Sequence, residues 1–244
     1  MVTGNTLLDS LPSRELALLR ADLRPVDTPR RTRLLEAGAP TDAVDFPVSL
    51  VVSLTLQTGE GDPIEVAMVG PEGMLGTWIA SAIDTAPWSA VAQVAGTSLR
   101  CGAADLRRVL AHAPVLSARI EQYALTQTYF MSQSILCNRF HELLQRTARW
   151  LLILATKTRT GAAPLPVTQE ILSQMLGVHR PSVTLALQAL TETGMIRSAG
   201  RGRIAILDRD GLEAAACECF RQVRAFNLAV TGHEDASFAP LTED

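Results

Sequence analysis

The residues best equipped for chemistry lie between Val167 and Leu207. Arg180 can donate two hydrogen bonds to O6 and N7 of a guanine. Ser182, Thr184 and Gln188 follow it and can reach base edges or phosphates. Arg201 and Arg203, with Arg197 just before them, surround Ala199-Gly200-Arg201-Gly202. Charges on such an exposed turn suit phosphate contact. This is the chemistry of reading a duplex, not of making or breaking bonds. The chain has no P-loop, no nucleophile elbow, no metal-binding signature and no paired carboxylates in a glycine-rich site, so an enzyme is not expected.

These residues need elements that hold them out to a partner. Thr168 is placed to cap a helix, because its hydroxyl can accept from a free first-turn amide. Gln169 and Glu170 follow, and the helix dipole favours negative charge there. Leu172, Met175 and Leu176 recur as an inward face. Gly177 permits the left-handed backbone that ends one helix and turns into the next. His179 stands at the cap of a second helix, with Arg180 leading and Pro181 in the first turn, where no amide donor is needed. Val183, Leu187 and Leu190 face a core, leaving Pro181, Thr184, Leu185 and Gln188 on the other side. Ile196 to Leu207 then reads as two strands, with Ile204 and Ile206 alternating against Arg203 and Ala205. The order of parts is a winged helix-turn-helix, whose second helix enters the major groove of DNA.

The net charge of −3 is misleading as a total. Residues 139–224 carry +5, residues 1–138 carry −4 and residues 225–244 carry −4. The segment with the motif is the basic one, and local charge governs attraction to phosphate. With 244 residues, 47% of them hydrophobic, the chain has enough to build two globular domains. No apolar run reaches membrane-span length, and the N-terminus lacks the pattern of a signal peptide. Cys101, Cys137, Cys217 and Cys219 show neither a CxxC pair nor zinc spacing. A cytoplasmic chain with reduced thiols is the resulting expectation. Cys217 and Cys219 fall on one predicted helix, about 200° apart, which disfavours a local disulfide. Redox sensing is a secondary reading. His112, His141, His179 and His233 show no ligand spacing either.

Residues 1–25 read as a short helical lead-in carrying Leu7, Leu8, Leu11, Leu16 and Leu19. From Thr32 to Cys101, short strands between glycines and prolines predict an antiparallel barrel or roll. Helices are predicted at 103–110, 114–136, 141–156 and 208–226, with a loop at 159–166 and frayed residues at 237–244. In the long helix, Leu116, Ile120, Tyr123, Gln127 and Phe130 step by four and three. That spacing suits a coiled-coil dimer seam, and equally packing onto the chain's own barrel. The fold class is α+β. The expected domains are a roll at 1–112, a dimerisation helix at 113–138, a winged helix-turn-helix at 139–226 and a tail at 227–244.

A β-roll, a long helix and a winged helix-turn-helix, in that order, resemble the cyclic-AMP receptor protein and FNR (CRP/FNR) family of bacterial transcription regulators over roughly residues 10–225. Thr168-Gln169, Leu176-Gly177, Arg180, Val183 and the basic hairpin carry the resemblance. It implies a homodimer on a two-fold symmetric DNA operator that contacts RNA polymerase or blocks it. The match is incomplete. Family members reading the common half-site place glutamate after the leading arginine and a further arginine four residues on, where this chain has Pro181 and Leu185. In the cyclic-nucleotide binders a Gly-Glu pair precedes a short helix and an Arg-Ser/Thr pair grips the phosphate. The corresponding stretches hold Glu72, Gly73, Met74 and Leu75, then Trp88 and Ser89, which the resemblance makes the candidate effector pocket. Trp88 stands at the arginine position and offers one neutral N–H, so cyclic AMP is disfavoured. There is no haem or iron–sulfur signature, and the cofactor is left unknown. A competing class is an effector-sensing module that acts through protein contacts rather than DNA.

Overall fold

The computed structural model describes residues 2–61, 63–159 and 163–232. His233, the 237–244 tail and the middle of the 159–166 loop lie outside them. Two compact units are present: residues 1–56 with 66–127, and residues 57–65 with 128–244.

The first unit begins with α1 (Thr6–Asp9) and α2 (Ser13–Arg20), the expected lead-in. Among the described residues seven strands follow: β1 (Arg24–Thr28), β2 (Arg33–Leu35), β3 (Ala43–Pro47), β4 (Val51–Gln57), β5 (Pro63–Val69), β6 (Ser89–Val94) and β7 (Gly96–Gly102). They make two sheets, ordered β1-β7-β3 and β2-β6-β4-β5. The β region therefore opens at Arg24, eight residues before the sequence pattern suggests, because β1 pairs across β7 from Arg24↔Arg100 to Thr28↔Gly96. Buried Val44, Phe46, Leu50, Val52, Leu54, Ala90 and Ala92 supply the core of the roll.

Two buried polar side chains tie the lead-in down. Asn5 is fully buried. Its Oδ1 accepts from the amide of Leu8 at 3.1 Å, capping α1, and its Nδ2 donates to the carbonyls of Pro47 and Gly73, each at 2.8 Å. Glu15 accepts from the amides of Val115 at 3.1 Å and Leu116 at 2.8 Å. Those are orphan donors at the start of α4 (Pro114–Phe140), where a carboxylate also meets the helix dipole favourably. Between roll and α4 lies α3 (Ala103–Leu110), as expected from the sequence.

The proposed seam on α4 is occupied. Leu116, Ile120, Tyr123 and Gln127 are all buried in the single chain, and Phe130 is half-buried beneath the guanidinium of Arg149 at 5.1 Å. The reason is visible at Tyr123. Its hydroxyl donates to Glu72 at 3.1 Å, and its ring fills the space beside Gly73, where an added Cβ would meet ring carbon at 1.9 Å. The stepping pattern thus reports packing onto the chain's own roll. A different heptad stripe, Ala118, Glu121, Leu125, Thr128, Ser132, Ile135 and Arg139, is left exposed or partly so.

In the second unit, α5 (Leu143–Thr158) is the central element, burying Ala148 and Trp150 to Leu154. Around it lie α6 (Gln169–Leu176), α7 (Arg180–Glu192), the hairpin β8 (Ile196–Ser198) and β9 (Ile204–Ile206), then α8 (Arg209–Ala215) and α9 (Cys219–Thr231). The Trp150 indole donates to Glu65 at 2.9 Å. Leu165, placed by sequence in a loop, exchanges backbone hydrogen bonds with Ile204 at 2.8 and 3.0 Å, an isolated antiparallel bridge that adds a third segment beside the hairpin. Ala205 is buried beside Ile204, so the alternation read for β9 does not hold at that position. The helix expected over 208–226 is broken at Ala216, whose backbone is extended (φ −74°, ψ 155°). Cys217 therefore sits in a joint, and the expected divergence of Cys217 and Cys219 does not occur. Among the described residues no helix is long and apolar enough to cross a membrane.

Asn5→Ala removes a cap and leaves two buried carbonyls without donors. It should destabilise the chain by about 2–4 kcal/mol in urea unfolding; a loss below about 0.5 kcal/mol would show those carbonyls find other donors.

Candidate nucleic-acid interface

The α6–α7 pair forms as its residues dictate. The Thr168 hydroxyl accepts from the amide of Ile171 at 3.2 Å. Gly177 takes φ +62°, ψ 42°, ending α6 with amide bonds from Gly177 to the Gln174 carbonyl and from Val178 to the Ser173 carbonyl. Leu172 and Leu176 are buried as expected, but Ile171 is buried beside them and Met175 only half so. α7 then buries Val183, Ala186, Leu187 and Leu190. That leaves His179, Arg180, Pro181, Thr184, Leu185 and Gln188 exposed along the other side, with Ser182 half-buried. The tip of α7 is thus an exposed cation at a helix start that no side chain caps; Pro181 has no amide and the Ser182 amide bonds the His179 carbonyl at 3.0 Å. Such a helix start favours anions.

The hairpin supplies the second part. Its turn runs through three successive left-handed residues, Gly200 (φ +72°), Arg201 (φ +48°) and Gly202 (φ +69°). Arg201 is a non-glycine in that region, a conformation that lifts its side chain out of the hairpin tip at some conformational cost. Arg197, Arg201 and Arg203 are exposed. Among the described residues no carboxylate pairs with these three or with Arg180. The four guanidinia stay available to an external anion. Gly202 lies against the helix cap, where a Cβ would meet Cγ2 of Thr168 at 2.6 Å. Hairpin and α6 are thus fitted to each other.

The remaining motif side chains are partly committed within the chain. The Thr184 hydroxyl lies 3.3 Å from Oε1 of Gln169 and 3.2 Å from the Arg180 carbonyl. The Gln188 amide donates to Glu192 at 2.9 Å. Both are exposed and can exchange these contacts.

The residues suggested for an effector pocket are engaged in the roll. Glu72 accepts from the Gly70 amide at 3.1 Å and from Tyr123. Met74 and Leu75 are core residues. Ser89 is buried and accepts from the Ala37 amide at 3.1 Å. Trp88 is half-buried, edge-on to Trp78 at 5.8 Å between ring centres. One group of potential metal ligands escaped the sequence reading: Cys137, His141, Cys217 and Cys219 converge in the second unit. Two clues were present. Cys137 and His141 are four residues apart, one helical turn, and Cys217 and Cys219 flank a single residue.

A capped helix, a left-handed glycine turn, an exposed arginine-tipped helix and a basic hairpin together define a winged helix-turn-helix DNA-binding protein. The comparisons agree. The Crp-like helix-turn-helix domain family matches residues 145–215. A CRP-like cAMP-activated global transcriptional regulator of Mycobacterium tuberculosis is 27% identical over 209 residues, covering 82% of this chain and 92% of that protein. Among solved structures, FixK2 from Bradyrhizobium japonicum has a TM-score of 0.68 at 14% identity, covering 80% of this chain and 98% of that one. The c-di-GMP responsive global regulator CLP of Xanthomonas campestris scores 0.65 at 15% identity, covering 80% and 99%. Residues 145–215 thus carry a Crp-like helix-turn-helix domain, and the chain as a whole is similar to CRP-like transcription regulators. Its carboxy-terminal unit is a DNA-binding module, and the fold is the α+β one expected from the sequence.

Gly202→Ala forces a side chain into Thr168 at a left-handed position. It should loosen the hairpin by about 1–3 kcal/mol, read as faster amide exchange at Ile204 and Ile206. Unchanged exchange there would show that the Gly202–Thr168 fit does not hold the wing.

Proposed function

We propose that this protein binds a two-fold symmetric operator as a homodimer, without requiring cyclic AMP, and there contacts or blocks RNA polymerase. Residues 1–112 serve as a sensor roll, 113–138 as the dimerisation helix, 139–226 as the DNA-binding domain and 227–244 as a tail. The observation that carries the proposal is the exposed Arg180 at the leading end of α7, without an ion pair among the described residues and flanked by the basic hairpin. Arg180 reads one base, with Ser182, Thr184 and Gln188 beside it. Thr168, Gln169, His179, Arg201 and Arg203 hold phosphates. Because Pro181 and Leu185 replace a glutamate and an arginine of the resembled motif, the operator differs from the common half-site.

Several features support independence from cyclic AMP, although the mycobacterial relative is named as cAMP-activated. A buried cyclic phosphate needs a cation or several donors. Trp88 offers neither in the place of the arginine, and Glu72 and Ser89 already serve the chain's own hydrogen bonds. For the dimer, the exposed stripe of α4 replaces the buried seam. Leu125 is 52% and Ile135 73% exposed at heptad spacing, and such apolar residues on a long helix suit a two-fold helix pair.

Binding-site selection separates the two roles of arginine. Arg180→Ala should relax preference at one position of each half-site, costing about 1–3 kcal/mol of discrimination. Arg203→Ala should weaken all sequences alike and lower the salt slope by about one unit. Identical profiles for the two variants would overturn that division. If Arg180→Ala combined with Arg201→Ala left operator affinity intact, the protein-contact reading would replace this one. Saturating cyclic AMP should leave operator affinity unchanged, and a rise would overturn independence. Leu125→Glu with Ile135→Glu should give monomers by analytical ultracentrifugation; a persistent dimer would place the interface elsewhere.

A further inference from the structure

We propose that Cys137, His141, Cys217 and Cys219 form a closed tetrahedral site for one thiophilic divalent cation, zinc by preference. It would fasten the end of α4 to the joint between α8 and α9. The four ligand atoms all lie within 4.8 Å of one another. Cys137 Sγ is 3.5 Å from Cys217 Sγ, and Cys219 Sγ is 3.5 Å from Nδ1 of His141. With Zn–S near 2.3 Å and Zn–N near 2.0 Å, tetrahedral ligands sit roughly 3.5–3.8 Å apart, so those two pairs already match and any pair nearer 4.8 Å must close by about 1 Å. The sulfur separation is far beyond a disulfide bond of about 2.05 Å. The set is also too tight for an iron–sulfur cluster, in which thiolates bind separate irons.

The surroundings suit a metal as well. The three cysteines are buried. The ring nitrogen of His141 away from the cluster, Nε2, lies 3.1 Å from the Glu218 carboxylate. A carboxylate there fixes the tautomer, with the proton on Nε2 and the Nδ1 lone pair turned towards the cysteines, as in carboxylate–histidine–zinc triads. Three thiolates, a neutral imidazole and Zn²⁺ leave one negative charge to be balanced. Two cations stand near, Arg149 buried and Arg146 half-buried. Arg149 is 7% exposed, and the Nε atoms of Arg149 and Arg146 are both buried without a hydrogen-bond partner. In the metal-free cluster the hydrogen bond to Cys217 and burial raise the Cys137 thiol, and burial raises that of Cys219, while the hydrogen bond from Cys137 lowers Cys217; the Arg149 charge acts towards the thiolate at all three. Soft sulfur with one imidazole in four-coordinate geometry selects zinc over the hard cations.

The site also accounts for the sequence around it. Cys137 and His141 lie one turn apart at the end of α4, on the same face. The extended Ala216 breaks the α8–α9 run so that Cys217 and Cys219 face one ligand point rather than diverging. A closed four-ligand shell leaves no open position for a substrate, so the role is structural.

The test is metal content and Co²⁺ titration of the full chain, purified under reducing conditions. The expected result is one zinc per chain, with Co²⁺ giving the visible bands of tetrahedral geometry and an ultraviolet thiolate-to-cobalt band. Cys101→Ser should leave both unchanged. Cys217→Ser should abolish the tetrahedral spectrum. Because that variant can fail to fold, Glu218→Gln is the companion: it keeps every ligand and should lower affinity roughly 10- to 100-fold. Absence of zinc with no cobalt spectrum and four freely titratable thiols would overturn the proposal. So would a Cys137–Cys217 disulfide in the protein as isolated, which would make the cluster a redox pair. An affinity untouched by Glu218→Gln would overturn the assignment of His141 as a ligand oriented by that carboxylate.

Discussion

The left-handed turn at Gly177 and the seating of α7 that follows from it govern the DNA-binding unit. A recognition helix must be gripped on one side and bare on the other. Val183, Leu187 and Leu190 provide the grip, and the turn aims the helix so that Arg180 emerges at its free end. Thr168 caps α6 on one side of the turn, and Gly202 of the hairpin rests against that same threonine. Cap, turn and wing are therefore a single fitted assembly, in which each small residue is required by the proximity of the next.

Electrostatics complete what packing begins. The chain is acidic as a whole, yet residues 139–224 carry +5. The arginines of the α7 tip and hairpin lack carboxylate partners among the described residues, while elsewhere arginines are paired, as Arg100 is with Asp45. Pairing in the roll and its absence at the interface amount to a division of labour. Charge that is neutralised locally serves stability, and charge left open draws in phosphate.

Much of this was legible in the sequence because the helix-turn-helix is local. Capping, glycine geometry and apolar periodicity are all expressed within some forty residues, and Thr168, Gly177, Pro181 and the arginines took their expected places. Errors arose where a pattern had two physical solutions or where distant segments meet. The α4 stepping pattern could describe a dimer seam or packing on the roll. Tyr123 against Gly73 decided for packing, a contact fifty residues apart that periodicity does not encode. Leu165 joined the hairpin through a backbone pairing with no side-chain signature. The thiol–imidazole cluster was hidden because the break at Ala216 carries no glycine or proline to announce it, and because its two halves are some eighty residues apart.

The regulator reading rests on two copies of the α7 tip meeting successive major grooves of one duplex. Hydroxyl-radical footprinting of the full chain on a selected DNA site measures this most directly. Two protected patches about one helical turn apart, roughly 34 Å centre to centre and related by two-fold symmetry, are the expected result. A single patch, or uniform protection without a site, would contradict the symmetric, groove-reading dimer.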